Sequence, residues 1–139
     1  MTLNVEDKLA IHELLGRAAY GYDARDINLL TNCFDEQAQM SMCIGGGDTI
    51  GPFIGRNQIM DLMTTSMADQ NDVRRHVISN IFFLSEQTPE IEVLSNLTLL
   101  ATENGGTKLL SSGIYRDRVA CEHNTWRIVH RHLDLDSSY

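Results

Sequence analysis

The chain has 139 residues, of which 42% are hydrophobic and 22% charged, an ordinary balance for a globular protein. At that length a single domain spanning residues 1–139 is expected, burying roughly two-thirds of the surface that the unfolded chain exposes. A net charge of −8 and a pI near 4.9 argue against nucleic acid and anionic membranes as partners, because both require a basic face.

Cys33, Cys43 and Cys121 fall at unrelated spacings with no CxxC, which fits reduced thiols in a cytoplasmic protein. The opening residues carry neither the basic nor the apolar region of a signal peptide. No apolar run approaches ~20 residues, so no membrane-spanning helix is expected.

The first predicted element is a helix from about Asn4 to Ala24. Asn4 followed by Asp7 resembles a capping box, and Leu9, Ile11, Leu14, Leu15, Ala18, Ala19 and Tyr22 supply an apolar stripe. Asp23 shares a helical face with Ala19, Gly16 and His12, and small residues below a carboxylate leave room for a cavity. Asp26 is placed to cap a second short helix running through Phe34. A strand follows around Ala38–Cys43. Gly45-Gly46-Gly47 reads as a flexible hairpin or lid, not a phosphate loop, since no GK[ST] follows. Gly51-Pro52 continues that loop, and Arg56–Met67 forms a third helix.

The second half is β. Segments near Arg74–Leu84, Glu90–Thr102, Lys108–Ala120 and Thr125–Leu135 are long, partly alternating and rich in β-branched and aliphatic residues. Turns fall at Ser85–Pro89, Glu103–Gly106 and Cys121–Asn124. Helices first and an antiparallel meander afterwards is an α+β order, in which the helices cover one face of a half-open cone.

Two groups carry chemistry. Asp23 ends the first helix in Tyr20-Gly21-Tyr22-Asp23, and His76 lies in Arg74-Arg75-His76-Val77, which opens the β half. A carboxylate at a helix C-terminus meets the unfavourable end of the dipole and needs a partner. Paired with His76, it would fix the imidazole tautomer and make a general base near neutral pH. Tyr22 is the first candidate to donate a hydrogen bond to a leaving or enolising oxygen.

Tyr20, Tyr115, His130 and Met42 are the candidate substrate contacts. Strict alternation places Trp126, Ile128, His130 and His132 on one face, and Tyr115 with Ser111 and Gly113. Met40, Met42, Met60, Met63 and Met67 offer either an adaptable pocket wall or core filling. His130 and His132 would need a third ligand such as His76, whose placement the sequence does not establish, so no metal is expected, and without a dinucleotide fingerprint no cofactor either. Arg116 and Arg118 read as solvated charge on an edge strand.

Taken in order, several segments resemble SnoaL-like members of the nuclear-transport-factor-2-like superfamily, the cystatin-like α+β cone. They are Asp7–Leu15, Tyr22-Asp23-Ala24-Arg25-Asp26, Cys33–Ala38, Gly55-Arg56, Arg75–Asn80, Gly113–Arg118 and Trp126-Arg127-Ile128. Within that superfamily the chain resembles scytalone dehydratase and hexachlorocyclohexane dehydrochlorinase, in which an Asp–His pair removes a proton during elimination. The resemblance implies that role for Asp23 and His76, and Tyr22 would match the dehydratase tyrosine. The dehydratase has a second histidine on the following strand, where this chain reads Val93-Leu94-Ser95-Asn96-Leu97-Thr98.

The expected function is therefore a lyase or isomerase (dehydratase-type elimination or cyclisation) acting on a small, mostly apolar or aromatic substrate. The alternative is a non-catalytic small-ligand-binding or assembly protein. It follows from a similarity of Arg74–Asn80, Val93–Asn96 and Trp126–Arg131 to β subunits of ring-hydroxylating dioxygenases. A homodimer through the outer face of the sheet is expected in either case.

Overall fold

The structure is a computed structural model and describes residues 2–87 and 89–139. Helix α1 spans Val5–Asp23, and its start is the capping box that the sequence spells. The Asp7 N–H donates to Asn4 Oδ1 at 2.8 Å, and the Asn4 N–H donates back to Asp7 Oδ2 at 3.3 Å. Ile11, Leu14, Leu15, Ala18 and Gly21 form its buried stripe. Leu9 lies off that stripe and is 62% exposed.

Helix α2, Ile27–Thr31, is shorter than expected. Asp26 caps it, accepting from the Leu29 N–H at 3.1 Å, but the helix stops before Phe34. The chain is captured there instead: the Cys33 carbonyl accepts from the Ile128 N–H at 2.8 Å, and Phe34, fully buried, opens β1 (Phe34–Ile44).

Gly51-Pro52, expected in a loop, lies within a short strand β2, Ile50–Ile54, paired antiparallel to β1. An edge strand tolerates proline because one side needs no ladder donor. Helix α3 runs Arg56–Ala68 and buries Ile59, Met63 and Met67 at a spacing of four.

The remaining strands are β3 (Val73–Ser85), β4 (Ile91–Glu103), β5 (Gly106–Glu122) and β6 (Thr125–Leu135). They join one six-stranded sheet in the order β2-β1-β6-β5-β4-β3. Every pairing is antiparallel except β1 with β6. Two-residue loops join β4 to β5 and β5 to β6. Asn104-Gly105 (φ 52° and 78°) and His123-Asn124 (φ 52° and 61°) adopt the left-handed backbone that matches strand twist in such hairpins.

Helices and sheet form the cystatin-like α+β arrangement, with α1 against β3 and α3 against β1 on one face of the curved sheet. Two bulges set which side chains reach that inner face. In β3 the register shifts between Ser79 and Phe82, with Asn80 at φ 54°, so Ile78, Ile81 and Phe83 all pack on the core. In β6, Ile128 pairs with Val119 and His130 with Arg118, which leaves Val129 as the extra residue. No helix among the described residues is long and apolar enough to cross a membrane.

Candidate active site

Asp23 is the last residue of α1, and β3 passes directly beside it. One carboxylate oxygen, Oδ2, accepts from the His76 backbone N–H at 2.8 Å. The other, Oδ1, lies 2.6 Å from His76 Nδ1. Two bonds to two atoms of one residue hold both the carboxylate and the ring against rotation. The side chains are 9% and 13% exposed, so water competes little for either contact. With Nδ1–H donating to Asp23, Nε2 is left as the basic ring nitrogen. Tyr22 packs edge-on against the imidazole, with ring centroids 4.8 Å apart.

His76 opens on a cavity of about 100 Å³ between α3 and the sheet. Its apolar wall is Met40, Met42, Leu62, Met63 and Leu133. Its polar groups, besides His76, are Tyr22, Ser66, Tyr115, Arg131 and Tyr139. Of the expected contacts, Met42 and Tyr115 are therefore in the wall with Tyr22 and His76. Met60 and Met67 pack into the core instead.

The Tyr22 hydroxyl is already engaged, within 3.0–3.3 Å of the Gln70 side-chain amide. Burial raises its pKa above the ordinary tyrosine value, although the Gln70 hydrogen bond works the other way. Tyr115 is more deeply buried, and desolvation pushes it up to about 12 despite the nearby Arg131 cation. Both phenols are therefore O–H donors at neutral pH.

Arg131 and Asp117 were not foreseen from the sequence. Arg131 Nε and Nη2 donate to the two Asp117 oxygens at 2.8 and 3.0 Å, with side chains 6% and 0% exposed. The guanidinium also lies 4.0 Å from the Tyr115 ring centroid. Burial opposes the charge on Arg131, but the Asp117 carboxylate outweighs it and raises the pKa. A permanent cation thus lines the same cavity as His76. One signal was available: Asp117 continues the buried alternation Ser111, Gly113, Tyr115 along β5.

Several expectations are corrected. His130 does not line the cavity, because the bulge at Val129 reverses the alternation and turns Arg131, Leu133 and Leu135 inward. His130 and His132 face the opposite side, beside Arg116, Arg118, Leu84 and Leu94. Burial and the adjacent Arg118 lower the His130 pKa, which favours the neutral ring. Tyr20 is 64% exposed and outside the cavity, about 200° around α1 from buried Ala18. Finally, the small residue Gly16 marks no cavity; it is exposed, with open space where a Cβ would stand.

Arg116 and Arg118 are exposed, as read, but β5 is an interior strand. Their partners are Asp134 at 3.4 Å and Glu90 at 3.8 Å. The glycine triplet is a turn between β1 and β2, closed by the Gly47 N–H to the Ile44 carbonyl at 3.0 Å. It does not line the cavity.

The SnoaL-like domain family matches residues 4–132, nearly the whole chain. The chain belongs to the SnoaL-like family. Solved structures agree on the fold. A protein of unknown function with a cystatin-like fold from Nostoc punctiforme PCC 73102 is 22% identical with a TM-score of 0.79, covering 98% of this chain and 96% of that one. The "Putative Scytalone Dehydratase" from Novosphingobium aromaticivorans DSM 12444 is 20% identical with a TM-score of 0.76, covering 95% and 85%. The "beta subunit of a putative aromatic-ring-hydroxylating dioxygenase" from the same organism is 16% identical with a TM-score of 0.78, covering 94% and 89%. No curated protein matches this SnoaL-like chain.

Proposed function

We propose that the chain is a SnoaL-like lyase or isomerase in which His76, oriented by Asp23, removes a proton from a small, mostly apolar substrate. One observation carries this: the Asp23 carboxylate holds both the ring and the backbone of His76 at the edge of an apolar cavity. Nε2 takes the proton and Asp23 stabilises the imidazolium, a step of the kind that contributes ~10²–10⁴-fold.

Charge developing on a substrate oxygen or leaving group meets three groups in the same cavity: the Arg131 cation and the Tyr115 and Tyr22 hydroxyls. Arg131 is neutralised by Asp117 but remains a fixed donor, placed before the reaction begins. The cavity is smaller than the ~300–1,000 Å³ of drug-sized ligand sites. Substrates the size of a hydroxy-ketone or a single aromatic ring fit best, and the methionine walls can give way by rotamer change.

The test is proton exchange in deuterium oxide, followed by NMR, over a panel of small hydroxy-ketones and phenolic ring compounds. Enzyme-dependent loss of a carbon-bound proton from one compound, abolished in His76→Gln, supports the base. A compound that binds saturably in the cavity with no exchange or elimination favours the second reading, a ligand-binding protein. What favours assembly instead is the outer face of the sheet, where Val77, Phe82, Leu84 and Ile114 are 37–58% exposed. We propose that a second copy of the chain packs there.

A further inference from the structure

The pairing of β1 with β6 is the parallel one in the sheet, and it sets Ser41 opposite His132 and Cys43 opposite Asp134. Alternation puts Met42 into the cavity and turns Ser41 and Cys43 to the other side. The Val129 bulge puts His132 and Asp134 on that side as well. A thiol, an imidazole and a carboxylate from two adjacent strands thus converge, their donor atoms all within 4.8 Å of one another.

We propose that Cys43 Sγ, His132 Nε2 and Asp134 Oδ1 form a binding site for one zinc(II) ion, with water in the fourth position. The site lies on the sheet face opposite the His76 cavity and is independent of the function proposed for that cavity.

The surroundings are those of ligands already oriented. His132 Nδ1 is 2.7 Å from the Ser41 hydroxyl, and Ser41 is buried, 8% exposed. When a metal takes Nε2, the Ser41 hydroxyl can accept from Nδ1–H, the outer contact that commonly fixes a zinc-bound histidine. Nε2 lies 3.0 Å from Asp134 Oδ1, so the two donor atoms are already adjacent, joined by a hydrogen bond that a metal would replace. Arg116 Nε takes the other oxygen, Oδ2, at 3.4 Å, leaving Oδ1 as a monodentate donor.

The donor set selects the ion. Thiolate argues against calcium and magnesium, and carboxylate with imidazole argues against copper(I); a mixed S, N, O set with a free fourth position suits zinc. Tetrahedral zinc, with Zn–S of ~2.3 Å and Zn–N of ~2.0–2.1 Å, brings its ligands to about 3.5 Å apart. The contraction needed is within the reach of partly exposed side chains. Binding releases the Cys43 thiol proton, and the proton between Nε2 and Asp134 Oδ1 gives way to the metal and passes to Nδ1, where the Ser41 hydroxyl accepts from it. This set is not legible in the sequence, because Cys43 and His132 lie 89 positions apart on different strands and the set excludes both His130 and His76.

The experiment uses reduced, tag-free full-length protein titrated with cobalt(II) and then zinc(II). We expect saturable one-to-one binding, with thiolate-to-cobalt charge-transfer absorption and tetrahedral visible bands, both lost when zinc displaces cobalt. Cys43→Ser removes the charge-transfer band, whereas Cys121→Ser keeps it. Asp134→Asn and Ser41→Ala each weaken binding about 10–100-fold while the far-ultraviolet circular dichroism is unchanged. Absence of saturable binding overturns the proposal. So does a band that survives Cys43→Ser or follows Cys121.

Discussion

Asp117 and Arg131 form a bidentate ion pair across β5 and β6 that is buried on the cavity side of the sheet, with the Tyr115 ring stacked against the guanidinium. Removing one partner of such a pair leaves a bare charge in the interior, whereas replacing both with apolar residues often costs nothing. Asp117→Asn is therefore expected to lower stability by about 3–5 kcal/mol, measured by urea unfolding. The double variant Asp117→Leu/Arg131→Met should recover most of that stability. If it also fails to turn over a substrate identified by the exchange screen, Arg131 acts on the substrate and not only on the fold.

The Asp23–His76 contact makes a prediction that needs no substrate. Asp23 holds the ring with Nδ1 as donor, so nitrogen-15 NMR of His76 should report an Nδ1–H tautomer. Asp23→Asn can present its amide N–H to the ring in place of an acceptor, and the Nε2–H form should then gain population. Turnover in Asp23→Asn and in His76→Gln should each fall by ~10²–10⁴-fold. The double variant should fall by little more than the worse single one, because the two residues act as a unit.

Tyr115 makes stability sensitive to alkali. Its folded pKa is pushed up to about 12 by burial, against an ordinary value of 10.0. The unfolded chain therefore releases this proton first, and the contribution is fully present below pH 10 and lost as pH rises toward 12. Phenolate absorbance should show one of the tyrosines titrating last, near pH 12, and Tyr115→Phe should remove that step. The stability lost between pH 10 and 12 should shrink in the same variant.

Gly113 sits where β5 presses on β6. A Cβ there would run into the Asp134 carbonyl oxygen, and backbone cannot swing aside as a side chain can. Gly113→Ala is expected to cost about 1–3 kcal/mol or more, as overpacked cores do. It should also weaken cobalt binding, since Asp134 would be displaced. Thermal melting and the cobalt titration check the two effects separately.

Phe82 stands out of the sheet because of the Asn80 bulge and is 52% exposed. If a second copy covers this face, Phe82→Glu places a charge in an apolar contact. Light scattering coupled to gel filtration should then show a dimer for the native chain and a monomer for the variant. A native chain that runs as a monomer at all concentrations overturns the dimer.

Much of this architecture was legible because it is encoded locally. Asn4 and Asp7 announce the start of α1 by side-chain geometry alone, and alternation in β4 and β5 reports which residues meet the core. The Asp23–His76 pairing was legible because a carboxylate at a helix C-terminus needs a partner and the family resemblance named one. The short edge strand β2 was not, because Gly51-Pro52 has loop composition and only its pairing with β1 makes it a strand.

What the tertiary structure alone decided follows from the bulge at Val129. A strand's side chains alternate with period two, so one extra residue exchanges the two faces from that point on. His130 and His132 went outward and Arg131 came inward, which put a cation in the cavity and an imidazole beside Cys43. The sequence determined that β6 would have a wet face and a buried one. Which residues stood on each depended on the register against β5, a contact between segments that no local pattern records.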